Sequence, residues 1–372
     1  MNTHEILAVL VGFDTTSSRS NRAIMVWIRD YLADNGAESR LLAGPDGTKF
    51  NLIARIGPDV PGGVALSGHS DVVPVAGQDW TSDPFRLVRR GSRAFGRGAC
   101  DMKGFLACVL AAVPRFRHAG LTRPVDILVS YDEEIGCFGA RPLIEALSGE
   151  TAPPAIVIVG EPTGMAIVDS HPGAHAETVR FFGCAGHSSH PERAVSAVEA
   201  ALDFMTGLRD IARRQTPDGI VLNLARIKGG TAHNIVAGEA EIEWSARFDD
   251  PEAGKDLIAA AAEACGAIET AMNAADPACS VVCEEMLSIP ALRPEPDSDA
   301  FRLCARLTGR NDSARAAYGT EAGLFQQAGF STVVCGPGDI AQAHTADEYI
   351  EEAQLAACDA FMVRLADELS SS

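Results

Sequence analysis

The sequence predicts an α/β fold with a smaller α+β unit inserted into it. Short apolar runs beginning at Val64, Val125 and Ala155 alternate with helical segments, the pattern of a largely parallel sheet covered on both faces. From about Thr178 the order changes to β-α-β-β-α-β, the ferredoxin-like motif. Beyond Met286 the first rhythm returns. Residues 1–175 and 287–372 are therefore predicted to form one discontinuous domain around an insert at 176–286. The 372 residues suffice for two domains at roughly 100–200 residues each.

Each element has a local reason. Glu5–Phe13 reads as a short apolar helix and Asn21–Asn35 as a second, capped by Ser20 or Asn21 and stopped at Gly36. Lys49–Ile56 is an apolar strand; Pro58, Pro61, Gly62 and Gly63 then turn the chain into the strand that ends His69-Ser70-Asp71. Asp79–Arg90 reads as loop and edge strand. A glycine-rich loop, Gly96–Gly104, runs into the helix Phe105–Arg117. Val125–Tyr131 is a buried strand ending in Asp132-Glu133-Glu134, and Ala155–Gly160 another ending in Glu161-Pro162-Thr163. The insert comprises strand Thr178–Cys184, amphipathic helix Pro191–Arg214, strands Gly219–Ile227 and Ala237–Phe248, alanine-rich helix Pro251–Met272 and strand Cys279–Glu285. The return supplies helices Ser298–Thr308 and Glu321–Ala328 and the strand Thr332–Cys335, which leads into Gly336-Pro337-Gly338. A helix over Glu352–Leu369 closes the chain.

The composition, 47% hydrophobic and 22% charged, is that of an ordinary globular protein. Fifty acidic against 31 basic residues leave a net charge of −19, which argues against nucleic acid or an anionic membrane surface as partner. No apolar run approaches the ~20 residues a bilayer span needs. The run Ile6–Val11 follows Glu5 and has no basic leader or small-residue cleavage site, so it does not read as a signal peptide. Ten cysteines lack metal-site spacing, Cys279 and Cys283 being the only close pair. They read as free thiols of a reducing compartment, and the chain as cytoplasmic.

The chemistry gathers where the strands end. His69 and Asp71 are two apart on one strand and so share a face, at the sheet edge where α/β folds bind ligands. An imidazole beside a carboxylate suits a metal ligand, because the carboxylate sets the tautomer and raises basicity; a lone His-x-Asp also occurs as a satisfied structural histidine. Glu133, Glu134 and Glu161 end two further runs, Asp101 lies in the glycine-rich loop, and His344 follows the Gly-Pro-Gly turn. Carboxylates crowded at one edge raise one another's pKa values. Two divalent cations relieve that conflict, and two imidazoles with carboxylate oxygens favour zinc or cobalt over magnesium or calcium. One carboxylate must bridge ions ~3.5–4 Å apart, and a free one can then act as general base. Glu133 and Glu134 are adjacent, so one can ligate while the other faces the water. The competing reading is a loop edge of solvated acids, common in so acidic a chain.

Five stretches, Ser67–Pro74, Gly96–Gly104, Asp132–Glu134, Gly160–Thr163 and Ala343-His344, together resemble the dizinc amidohydrolase and exopeptidase family. That family holds acetylornithine deacetylase, succinyl-diaminopimelate desuccinylase, aminoacylase and carboxypeptidase G. The resemblance spans almost the whole chain and implies a fold of a dizinc-peptidase-like catalytic domain with an inserted lid and dimerisation domain. It implies that His69, Asp101 and Glu161 hold one zinc and that Asp101, Glu134 and His344 hold the other. Asp101 would bridge, Glu133 would be the general base, and Asp71 would orient His69. It also implies a cis Asp101–Met102 peptide. In the insert, Gly186-His187-Ser188-Ser189 resembles the lid segment whose histidine steadies the oxyanion in the partner protomer. Asn234 and Arg247 match positions that grip the substrate carboxylate. On residue chemistry alone His187 reads as a turn histidine and Arg247 as a surface strand residue.

Within the family, Tyr318–Gly323, Asn51-Leu52, Phe13–Ser17 and Ala343–Tyr349 lean toward the acetylornithine deacetylases. That implies a small N-acyl amino acid as substrate, with N2-acetylornithine first and desuccinylase, aminoacylase or dipeptidase activity as alternatives. Glu321 could pair with a cationic substrate side chain or be a structural carboxylate. Backbone amides around Gly336 and Gly338 would help to position the substrate's carboxylate. Pro172 stands where relatives have a basic residue, near the expected hinge. A non-catalytic metal-holding relative would lack the base, and Glu133 is present; a dimetal phosphatase would want an Arg and Lys cluster that is not evident.

Overall fold

A computed structural model describes residues 1–215 and 219–370. The chain divides into two compact units, one built from Met1–His171 and Pro294–Ser372, the other from Pro172–Arg293.

The first unit is organised on an eight-stranded mixed sheet. Its order is Glu38–Ala43, Phe50–Ile56, Val125–Ser130, Val64–His69, Ile156–Pro162, Ser331–Gly336, Ile167–Ser170 and Ser313–Arg315. The four strands from Val125 to Gly336 in that order run parallel to one another. Every residue of the Val64, Val125 and Ile156 strands is buried, as a sheet covered on both faces requires. Helices Thr3–Val11, Lys103–His118 and Glu352–Ser370 pack on one another within the same apolar core. Pro114 lies inside the Lys103–His118 helix and cannot donate to the Leu110 carbonyl. The Tyr31 hydroxyl, 3.3 Å away, takes that place.

Several short elements escape a reading based on apolar runs. Strand Glu38–Ala43 has mixed polar residues because it is an edge, and helix Ala140–Ser148 is only nine residues long. Strands Ile167–Ser170 and Ser313–Arg315 close the far edge of the sheet. From Asp79–Arg90 only Val88–Arg90 is strand, paired with Arg93–Phe95.

The second unit is a four-stranded antiparallel sheet in the order Ile220–Gly229, Glu239–Phe248, Gly173–Phe182 and Ser280–Ile289. Helices Ala197–Gln215 and Pro251–Ala275 pack against it. Numbered by chain position the strands run second, third, first, fourth, the ferredoxin-like arrangement. Trp244, Phe181, Phe204 and Leu257 form its core. The unit's first and last strands in the chain, Gly173–Phe182 and Ser280–Ile289, extend past their apolar runs, so this unit begins at Pro172 and ends at Arg293. Pro191–Arg193 is a separate 3-10 turn, and the helix starts only at Ala197, because Val195 is bridged to Cys184.

Candidate metal centre

In the first unit, the Val125, Val64, Ile156 and Ser331 strands are parallel neighbours, so their carboxyl ends share one edge. That edge receives His69, Glu133, Glu134 and Glu161. Asp101 arrives from the Gly96–Gly104 loop, whose last turn is tied by the Lys103 N–H donating to the Gly98 carbonyl. A Cβ on Gly68 would lie 2.7 Å from the Met102 methyl, so glycine there lets the Asp101–Met102 segment settle on the Val64 strand. The Asp101–Met102 peptide is cis.

Asp101 spans the two imidazoles. Its Oδ1 lies 3.0 Å from His69 Nε2 and its Oδ2 3.2 Å from His344 Nε2. Glu161 Oε1 is 3.5 Å from His69 Nε2, and Glu134 Oε2 is 3.0 Å from His344 Nε2. The ligand atoms of His69, Glu133 and Glu161 lie within 4.8 Å of one another, as do those of His69, Asp101 and Glu134. The His69, Asp101, Glu161 and Glu134 side chains are at most 7% exposed and Glu133 is half-buried, whereas the His344 side chain is 49% exposed.

The electrostatics of this cluster call for positive charge. Burial, reinforced by Asp101, pushes Glu161 up to about 8 and Glu134 up to about 6. Burial and Glu161 raise Glu133 well above the carboxylate range. Bonds to Asp101 and Glu134 push His344 up to about 10. Burial opposes the charge on Asp101, but its bonds to His344 and His69 hold it below the usual range. Burial and mutual repulsion of these carboxylates favour a site that supplies positive charge. Glu161 Oε1 is buried and makes no hydrogen bond. An orphaned carboxylate oxygen beside two imidazoles and a bridging aspartate fits divalent metal ions.

Asp71 does a second job beside the one predicted. The His69 Nδ1 contact at 3.0 Å is to the Asp71 backbone carbonyl, while its carboxylate Oδ1 stands 3.6 Å away. The carboxylate also accepts the Ser17 hydroxyl at 2.8 Å, the Glu133 N–H at 3.1 Å and the Glu134 N–H at 3.3 Å. It anchors the turn that carries both glutamates. Glu133 Oε1 in turn accepts the Cys137 thiol at 3.5 Å.

Two expected substrate contacts in this unit, the Gly336 and Gly338 amides, are corrected, and Glu321 takes the structural of its two readings. Glu321 is buried, with one oxygen accepting Ser67 Oγ at 2.6 Å and the other Ser130 Oγ at 2.7 Å. Both its oxygens are used beneath the sheet edge, so it ties the His69 strand to the Glu133 strand and does not present charge to a ligand. The Gly336 N–H donates to Thr163 Oγ1 and the Gly338 N–H to Gln354 Oε1, each at 3.2 Å. Neither amide is left for a carboxylate. Gly336 is glycine because a Cβ would lie 2.0 Å from the Gly160 carbonyl oxygen.

In the second unit, His187 is exposed on a two-residue strand paired with Ile235–Val236. The Ser189 N–H donates to His187 Nδ1 at 3.2 Å, with Ser189 Oγ at 2.7 Å. A backbone N–H can only donate, so in the neutral ring the proton sits on Nε2. Asn234 is exposed in the turn before Ile235, its carbonyl accepting the Ser188 N–H. Arg247 is exposed on the Glu239–Phe248 strand, opposite Val221 and Ala174.

Residues not singled out from sequence also build the centre: Ser17, Gln78, Arg97 and Glu348. Ser17, Arg97 and Glu348 stand within motif stretches, the one signal that could have marked them; Gln78 stands outside them.

An α/β sheet edge bearing this constellation, with a ferredoxin-like insert, defines a metallohydrolase. Residues 65–368 match the model of peptidase family M20/M25/M40, and the chain belongs to that family. It is 33% identical over 351 residues to an acetylornithine deacetylase of Pectobacterium atrosepticum, covering 91% of this chain and 89% of that one. An acetylornithine deacetylase of Myxococcus xanthus is 32% identical over 375 residues, covering 96% and 95%. Among solved structures, the aminopeptidase PepT of Bacillus cereus has a TM-score of 0.72 at 19% identity, covering 100% of this chain and 98% of that one. A dinuclear metal binding peptidase of the M20 family from Bacillus subtilis has a TM-score of 0.65 at 18% identity, with the same coverage. No helix among the described residues is long and apolar enough to cross a membrane.

Proposed function

We propose that the protein hydrolyses the amide bond of an N-acyl amino acid, with N2-acetylornithine as substrate and acetate and ornithine as products, a step of arginine biosynthesis. The observation that carries the reading is Asp101, whose two oxygens reach His69 and His344 while Glu133 stands beside them. The named relatives support the choice of substrate.

His69, Asp101 and Glu161 would hold one zinc ion, and Asp101, Glu134 and His344 the second, with cobalt as a substitute. Such ions supply a water acidic enough to attack at neutral pH and a Lewis acid for the amide carbonyl. Glu133 takes the proton of the attacking water and passes it to the leaving nitrogen. Asp71 holds the Glu133 and Glu134 backbone in place for this. His187, through Nε2–H, donates to the developing oxyanion, a role worth several kcal/mol in comparable sites. Arg247 and Asn234 receive the substrate's α-carboxylate. The protein works as a homodimer joined through the inserted unit, with His187 serving the partner protomer.

The test is a panel of N-acetyl, N-succinyl and dipeptide substrates on metal-reconstituted enzyme. The expected result is the highest kcat/KM on N2-acetylornithine. Preference for a succinyl amide or a dipeptide would move the protein to a desuccinylase or carboxypeptidase role, and no turnover of any of them would overturn the reading.

A further inference from the structure

His344 is the exposed member of the cluster, and its backbone is left-handed at φ 60°, a conformation a histidine adopts only at some cost. Something must hold it against Asp101 and Glu134. The chain of contacts that does so begins at Glu348, four residues on and fully buried. Glu348 Oε1 accepts the Cys100 and Asp101 N–H groups at 2.9 and 3.1 Å. Its Oε2 accepts the Gly98 N–H at 3.0 Å and Arg97 Nη1 at 2.7 Å. Arg97, also buried, donates through Nη2 to Gln78 Oε1. The Trp80 indole N–H donates to the same oxygen at 3.0 Å, and the Arg97 guanidinium lies over the Trp80 ring at 5.1 Å. Gln78 Nε2 then donates to the His344 carbonyl at 2.8 Å.

The orientation of the Gln78 amide is thereby fixed. Arginine and indole nitrogens can only donate, so the oxygen must face them and the NH2 must face His344. The ring is closed from the Asp101 amide, through Glu348, Arg97 and Gln78, to the carbonyl of His344.

We propose that Gln78, locked by Arg97 and Trp80, is the positioning residue for His344 and sets the affinity of the metal ion that His344 shares with Asp101 and Glu134. The proposal rests on the two-metal reading of the centre. Groups that orient ligands typically change metal affinity ~10–100-fold when removed. Gln78→Glu keeps an acceptor for Arg97 and Trp80 but turns an oxygen toward the His344 carbonyl. Gln78→Met removes both interactions without adding charge.

The experiment is titration of metal-free full-length protein with cobalt(II), followed by calorimetry and by the visible absorption of the bound ion. Wild-type protein is expected to take up two equivalents, and His344→Ala one. Both Gln78 variants are expected to weaken one phase ~10–100-fold, the phase missing in His344→Ala, and to leave the other within about twofold. A wild-type protein that binds fewer than two ions would overturn the two-metal reading itself. With two ions bound, Gln78 variants that titrate as wild type, or that weaken both phases equally, would overturn the role of Gln78 alone.

Discussion

Replacing Asp71 by asparagine separates two ways in which this residue could serve the centre. The carboxylate is buried and accepts Ser17 Oγ, the Glu133 N–H and the Glu134 N–H. A carboxamide of the same shape has one acceptor and one NH2. If the NH2 takes the Oδ2 position, the Ser17 hydroxyl can turn to accept, but the Glu134 N–H faces a donor. If it takes the Oδ1 position, the Glu133 N–H does. Either way one backbone donor is orphaned, at a cost of about 1–3 kcal/mol. Expressed in the transition state through misplacement of Glu133, that range slows kcat about 5- to 150-fold. His69 keeps its tautomer, because its Nδ1 partner at 3.0 Å is the Asp71 carbonyl, which asparagine retains. The expected outcome is a slow enzyme with both metals bound and a lower unfolding free energy. Steady-state kinetics, elemental analysis of dialysed protein and urea unfolding measure the three quantities. A variant that loses metal and recovers full rate in excess zinc would refute this account, since the carboxylate would then be holding His69.

Other consequences of the structure can be checked in the same preparations. Glu133→Ala should abolish turnover and leave both metals bound; near-normal rates would remove Glu133 from the role of base. His187→Ala should slow kcat by about 100-fold or more with unchanged metal content, and mixing it with Glu133→Ala should restore activity if the lid histidine serves the partner. Glu321→Ala leaves two buried serine hydroxyls and a void, so urea unfolding should show a loss of about 2–4 kcal/mol. Glu321→Gln can still bond both serines, and its ratio of kcat/KM between N-acetyl substrates with cationic and neutral side chains should stay within about threefold; a larger change would return Glu321 to substrate recognition. Chelation should lower the melting temperature as well as the rate, because free metal at 100 times Kd adds about 2.7 kcal/mol to the folded state. Calorimetry with and without chelator reads that difference.

The elements legible in the sequence are those whose reason is local. The Val64, Val125 and Ile156 strands are wholly buried, so they appear as unbroken apolar runs, and each hands a polar group to the sheet edge at its end. The ferredoxin-like insert is legible because its two long helices separate strands with alternating burial, as in Glu239–Phe248. Glu38–Ala43 was not, since an edge strand needs no apolar pattern. The same rule divides the centre. His69, Asp101, Glu133, Glu134, Glu161 and His344 could be nominated because each stands in a short distinctive stretch. Glu321, Gly336 and Gly338 stand in such stretches too, but their type does not say whether they face substrate or serve the scaffold, as the bonds of Glu321 to Ser67 and Ser130 do. Whether a carboxylate or an amide is free for a ligand depends on partners such as Ser67, which is 254 residues from Glu321.

Asp71 and Gln78 show why that limit matters for mechanism. A His-x-Asp pair invites the inference that the carboxylate orients the imidazole, since both side chains share a strand face. The strand in fact ends at His69, and the chain turns so that the backbone carbonyl of Asp71 meets the ring. The carboxylate, 3.6 Å from the ring, also serves the Glu133–Glu134 turn, which begins at Asp132 with a left-handed φ of 53°. One residue therefore places a metal-type histidine through its main chain and the Glu133–Glu134 turn through its side chain. Gln78 makes the complementary link, 266 residues from His344 and outside every motif. Side chains that bond metal or substrate are constrained by their own chemistry and announce themselves by type. Those that position them need only a donor or an acceptor in the right place, which any amide supplies, so their identity emerges only when the fold brings the partners together.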